Sequence, residues 1–248
     1  FFARWLAQLE ATFIEKQRYL LLVDGLKNTL VITLCALVIG VTIGALVAMI
    51  KYCGQGSRLL RPLCWLCDVY TTVIRGIPVV VQLLIFYFLI LKSSDGLVVG
   101  IVTFGINSGA YVAELMRSGI AAVDPGQMEG AKAIGMTHFQ AMINVILPQA
   151  FRNILPQIGN NLIINIKDTS VLSVISIVDL FFVHKSVSGA LYTYFESATI
   201  VMVIYLTMTL ITSKLLRLWE SKMDGSENYE LVDMMDIGTQ LGSKQRKA

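Results

Sequence analysis

NTLVITLCALVIGVTIGALVAMI, residues 28–50, contains no charged side chain. As an α-helix at 1.5 Å per residue, these twenty-three positions reach about 34 Å, enough to cross a hydrocarbon core of about 30 Å. Gly40 and Gly44 form a G-x-x-x-G pair that permits close helix contact, although such pairs arise often by chance in apolar helices. Lys51, Arg58 and Arg61 follow with no acid among them, as expected of a cytoplasmic loop. The chain as a whole agrees: 55% of its 248 residues are hydrophobic and 15% are charged, against about 25% charged in a soluble domain. An all-α, polytopic membrane protein is therefore expected. A net charge of +3 is too small to argue for nucleic acid.

Four further spans are expected, making five. The second covers about Pro62 to Leu91 and carries Asp68, Arg75 and Pro78. Charges at such depth face protein or water rather than lipid, and the proline should break or kink the helix. Arg75 either holds a neighbouring helix or faces a translocation path. The third span, Leu97 to Ser118, places Asn107, Tyr111 and Glu114 on one face, spaced four and three apart. Glu114 can pair with a cation inside the bundle, Arg117 being near, or meet a cationic part of a substrate. The fourth, Phe151 to Val174, brings Asn160, Asn161 and Asn165 near the bilayer centre. Buried amides need partners, which are either other helices or the charged ends of a zwitterion. Lys167 and Asp168 are expected to compensate each other. The fifth span runs from Tyr194 to Leu218. Between the last two, Ser173 to Ala190 is expected to form a short helix at the outer face, with His184 an ordinary surface histidine.

Residues 1–24 place Phe2, Trp5, Leu6, Leu9 and Phe13 at helical spacing, reading as an amphipathic surface helix or the end of a linker. A transmembrane core is assigned to residues 25–222. Residues 223–248 are polar and weakly patterned, a cytoplasmic tail. Because the chain starts at Phe1 rather than Met, a missing upstream segment is expected: a trimmed start, a signal or a fused domain. Cys64-x-x-Cys67 lies in an apolar helix with no second pair and no nearby histidine, so a structural role is expected. No G-x-x-x-x-G-K-[ST], H-E-x-x-H or G-x-S-x-G occurs, which argues against catalysis by this chain.

The longest water-compatible, helix-competent segment in the middle of the chain is Asp124 to Met136. Asp124 can cap a helix, Pro125 suits its first turn, Gln127 has capping-box spacing, and Gly135 offers the left-handed residue that ends it. Thr137 and Gln140 repeat the cap spacing and start a second short helix, with His138 in its first turn. That helix runs toward Pro148, which a continuous helix would not welcome. The sequence Glu129-Gly130-Ala131, three residues, Gly135, nine residues, Val145-Ile146-Leu147-Pro148 resembles the EAA loop of ATP-binding-cassette (ABC) importer permeases. Gly130 stands for the first Ala of that pattern and Val145 for its Ile. Arg75-Gly76-Ile77-Pro78 with Gln82, Asn107 to Glu114, Gly159-Asn160-Asn161 and Lys167 to Ser170 extend the likeness to the polar amino acid uptake branch, from about Gly25 to Trp219.

The resemblance implies a MetI-like transmembrane fold and a coupling helix that docks on an ATPase, with Glu129, Gly130, Ala131, Lys132 and Gly135 at the contact. It implies two ABC ATPase subunits holding ATP and Mg, with no cofactor on this chain, and a second permease chain, identical or related. An extracytoplasmic binding protein or fused binding domain would deliver an amino acid from outside. The path candidates are Arg75, Asn107, Tyr111, Glu114, Asn160, Asn161 and Asn165. Lys and Arg are concentrated in the expected inner loops, which places the chain in a bacterial cytoplasmic membrane with its N-terminus outside and C-terminus inside; the basic residues of the first 27 positions blur this bias. A secondary transporter driven by an ion gradient is the alternative, with Asp68, Glu114 and Asp168 as its coupling carboxylates.

Overall fold

The computed structural model describes residues 2–14, 17–54 and 58–223. The expected tail, 223–248, lies outside them apart from Met223. All regular elements among the described residues are helical: α1 (Phe2–Phe13), α2 (Tyr19–Cys53), α3 (Arg61–Gly76), α4 (Val79–Ile85), α5 (Gly96–Ala121), α6 (Pro125–Ala133), α7 (His138–Ala141), α8 (Leu147–Asp168), α9 (Leu180–Leu191) and α10 (Tyr194–Met223). Three of them, α2, α5 and α10, are long and apolar enough to cross a membrane on their own. A fourth crossing follows if α3 and α4, with the wide π turn Phe86–Ile90 that continues α4, count as one bent span. The remaining expected span, α8, is long enough but carries Arg152, Lys167 and Asp168. Length and composition therefore do not by themselves count five.

The helices α2 and α5 form the tightest pair. The small-residue signal on α2 proves meaningful: a Cβ on Gly40 would lie 2.6 Å from the Ser108 Cβ, and one on Gly44 would lie 2.6 Å from Val112. The arrangement is reciprocal, because Gly105 and Gly109 of α5 face Ile39 and Ile43 of α2 at 2.7 and 2.8 Å. Missing side chains thus let two backbones approach where lipid offers little hydrophobic drive. One apolar cluster joins Ile32 and Ala36 of α2, Leu83 of α4, Val99 and Phe104 of α5, and Leu172, all buried. A second, at the α6 end of the bundle, joins Val123, Met142, Ile146, Ala150 and Ile154.

Pro78 interrupts the second span sharply. The axes of α3 and α4 meet at 108° across Ile77-Pro78. The bend strands backbone carbonyls in an apolar setting, and buried Gln82 meets two of them. Its Nε2 donates to Ile74 O and Ile77 O, both at 2.7 Å. Asp68 pairs with Lys51 at the end of α2, 2.6 Å away.

Two expectations need correction in the segment between α8 and α10. His184 is a buried residue, not a surface histidine: its Nδ1 lies 2.9 Å from Ser197 Oγ, and Tyr194 packs edge-on against the ring. The segment from Ser173 is not one helix. Thr169–Ile175 is a tight 3-10 stretch continuing α8, and α9 starts at Leu180, capped by Asp179. At the other end of the chain, α1 is helical as expected and packs inward: Phe13 is buried with Val183 and Val187, and Trp5 meets Phe195.

Candidate functional site: a polar cavity and an exposed capped helix

A cavity of about 440 Å³ opens at the α3–α4 bend, walled by α3, α5 and α8. Five of the seven residues singled out as path candidates line it: Arg75, Asn107, Tyr111, Asn161 and Asn165. Asn160 is exposed and outside the wall, one residue and about 100° around the helix from Asn161. Glu114 also lies outside it. Arg117 donates to Glu114 through both Nε and Nη2, and Arg75 stands 3.9 Å from the other carboxylate oxygen. Glu114 is thus paired with a cation on its own helix.

The wall is organised by hydrogen bonds between helices. Asn165 of α8 donates through Nδ2 to Ser108 Oγ of α5 at 2.6 Å, with Asn161 Oδ1 accepting at 3.4 Å. Asn107 Oδ1 is buried without a partner among the described residues. Arg75 sits 5.5 Å from the centroid of the Tyr111 ring, a cation–π contact that fixes the guanidinium at the cavity edge. Asp168 lines the same cavity, and no ion pair joins it to Lys167 among the described residues. Lys167 remains the charge that acts on the Asp168 carboxylate through space, while Asp168 shares that wall with Arg75. Adjacency in sequence hid this, since residues i and i+1 on a helix point in different directions.

At one end of the bundle, α6 is displayed. Asp124 caps it by accepting from Gly126 N at 2.8 Å, and Pro125 occupies the first turn. Gln127 does not close a capping box; its Oε1 accepts from Gln149 Nε2 of α8 at 3.3 Å. The helix ends in paired bonds, Gly135 N to Lys132 O at 3.0 Å and Met136 N to Ala131 O at 3.1 Å. Gly135 has φ +90°, the left-handed geometry this ending requires. Ala131 is buried and Met128 half-buried against the second apolar cluster, whereas Glu129, Gly130, Lys132 and Gly135 face outward. Thr137 and Gln140 form the full capping box expected of them.

The helix begun at Thr137 does not stop at Pro148. A π turn, Met142–Ile146, precedes it, and Leu147 N bonds back five residues to Met142 O. The wider turn moves the ladder away from the proline ring, so a four-residue helix, a π turn and α8 form one rod from His138 to Asp168. That rod links the segment after α6 to the cavity wall. His138 lies on the rod's first turn and binds Tyr52 at the end of α2, Oη to Nε2 2.5 Å, with the rings stacked. Sequence reading gave no sign of this contact, because the partners are 86 residues apart.

Spanning helices around a polar cavity, with a capped helix presented at one end, are arranged as in a membrane transport subunit. The chain belongs to the family described as binding-protein-dependent transport system inner membrane component, whose model matches residues 40–225. This is the MetI-like family of ABC importer permeases. Among its relatives, the arginine transport system permease protein ArtQ of Bacillus subtilis is 35% identical over 210 residues, covering 83% of this chain and 94% of that one. The glutamine transport system permease protein GlnP of Escherichia coli is 34% identical over 212 residues, covering 82% and 93%. A crystal structure titled as an amino acid ABC transporter with histidines superposes at TM-score 0.77 with 41% identity, over 85% of this chain and 98% of that one. The inward-facing MetNI methionine ABC transporter shares the fold at 20% identity and TM-score 0.72, over 85% and 99%.

Proposed function

We propose that this chain is the transmembrane permease subunit of an ATP-driven importer of a polar amino acid, and that α6 is its coupling helix. One observation carries the reading: an exposed, doubly capped helix is packed on the base of a rod whose far end forms the wall of a polar cavity. Two ABC ATPase subunits would hold ATP and Mg and grip α6 through Glu129, Gly130, Lys132 and Gly135. A second permease chain would complete the path across a bacterial cytoplasmic membrane. An extracytoplasmic binding protein or fused domain would deliver substrate, with the N-terminus outside, α6 and the C-terminus inside, and five crossings in all. When the ATPases close, α6 moves. Met128 and Ala131 press on the π turn, and α8 carries Asn161, Asn165 and Asp168 with it, opening the cavity to alternate sides.

The cavity favours a zwitterion with a neutral polar side chain. Arg75 can take the carboxylate, Asp168 the ammonium, and the amides of Asn107, Asn161 and Asn165 the side chain. One base and one acid in the wall leave no net charge to attract a strongly cationic substrate. A carboxylate at 161 would change that balance, so Asn161→Glu is expected to shift preference toward cationic amino acids in competition uptake assays.

The decisive experiment is uptake into vesicles containing this chain and its partners. ATP is expected to be required, and Glu129→Lys or a bulky residue at Gly135 is expected to leave the protein in the membrane while abolishing uptake. Transport driven by a proton or sodium gradient without ATP would establish the secondary carrier instead. Normal uptake by both variants would remove the coupling role from α6.

A further inference from the structure

On the α6 side of the bundle, two hollows meet. The first, about 410 Å³, lies between the ends of α2 and α5; its charged lining residues are Lys51 and Arg117, with no acid in the wall. The second is a groove of about 230 Å³ between α2, α5 and the start of α8. Met49, Met116, Leu147 and Phe151 are in its lining, and nothing charged is. They are continuous, because Ala48, Tyr52 and Ile120 line both. The groove faces outward at Met49 and Phe151, which are 61% and 51% exposed, so the bilayer has access to it.

We propose that this pair of hollows binds one anionic phospholipid of the surrounding bilayer, headgroup at Lys51 and Arg117, acyl chain in the groove. The chemistry fits an amphiphile with a negative head and an apolar tail. Each cation keeps donors in reserve. Asp68 engages the Lys51 ammonium, one of whose three N–H groups suffices. Glu114 engages Arg117 through Nε and Nη2, leaving Nη1 for phosphate. Lys51 lies in the last turn of α2 and Arg117 four residues before the end of α5, both toward one end of their helices, and a basic pocket between spanning helices near their ends is a recognised form of lipid site. Tyr52 joins the two hollows while its hydroxyl holds His138, so the bound headgroup would sit against the joint between α2 and the rod.

The test is native mass spectrometry of the assembled transporter after delipidation, with dioleoylphosphatidylglycerol or dioleoylphosphatidylcholine added back. The glycerol lipid is expected to bind as a discrete copy per permease chain, more tightly than the choline lipid by about fivefold or more. Lys51→Gln should weaken it about fivefold, and Ala48→Phe, which fills the junction without touching a charge, should eliminate the bound copy. Asp68→Asn breaks the same ion pair as Lys51→Gln but keeps the cation, and should bind at least as well as the parent. Equal affinity for the two lipids would overturn the proposal. So would a loss in Asp68→Asn matching that in Lys51→Gln, since the ion pair and not the cation would then matter. Because the readout is lipid mass, its outcome is independent of whether the chain moves an amino acid.

Discussion

Two buried polar residues show how single side chains hold this fold. Gln82 stitches the α3–α4 bend by donating to two carbonyls that the break would otherwise orphan. Gln82→Leu should cost about 2 kcal/mol, through acceptors left unmet in an apolar place, and a lowered melting temperature in detergent would register it. Asp179 caps α9 by accepting from Phe181 N and Phe182 N, with Tyr205 Oη at 3.3 Å. It lies in the connection between α8 and α9, wholly buried, and burial pushes its carboxyl up to about 6 despite those donors. A raised folded-state pKa means that the fold keeps a proton the unfolded chain gives up. Stability is therefore full below about pH 4 and falls as pH rises to about 6, by an amount on the order of 2–3 kcal/mol. Burial holds His184 below its usual value, which gives the opposite slope: stability is lost as pH falls through its lowered pKa. Asp179→Asn keeps an acceptor for the amides and removes the carboxyl. Melting curves between pH 4 and pH 8 should show a gain at pH 8 and little change at pH 4.

Among elements, the rod from His138 to Asp168 and the α2–α5 pair matter most. Caps and spacing revealed α6 closely, Asp124 to Gly135, because helix ends are written locally in polar and glycine residues. The rod was not legible, since a proline after a short helix reads as a stop unless a π turn precedes it, and no residue type announces a π turn. Likewise the partner of Tyr52, His138, is brought to it by the packing of a distant segment. The glycine pair on α2 was a weak signal alone; it became informative once Gly105 and Gly109 were seen to answer it. Gly44→Leu forces a side chain into Val112 and should separate the two helices, destabilising the protein by several kcal/mol. A Cβ at Gly130 meets nothing within 4 Å in this chain, so Gly130→Ala should leave stability unchanged or slightly raised. If α6 docks on an ATPase, the bulkier Gly130→Leu should weaken assembly with it. Comparing melting temperatures with pull-down of the partner separates the two effects.

For the whole molecule, charge and hydropathy were sufficient to place the chain in a membrane, and motif spacing to place it in its family. Length and composition alone do not confirm the count of five, because one expected span is bent by 108° and another is polar. The same patterns misassigned His184, which is buried by Tyr194 and Ser197 at the start of the next helix. Among the candidate residues the cavity selected five, and added Asp168. Glu114 lies outside the cavity, paired with Arg117 one turn away. The close seating of α2 on α5 has a mechanical corollary. Glycine-backed helices that touch along their backbones have no compliant layer between them, so they cannot shear past one another by small rotamer changes. They form a fixed post, so that if the chain gates as proposed, the stroke must be taken up by other elements moving against that post.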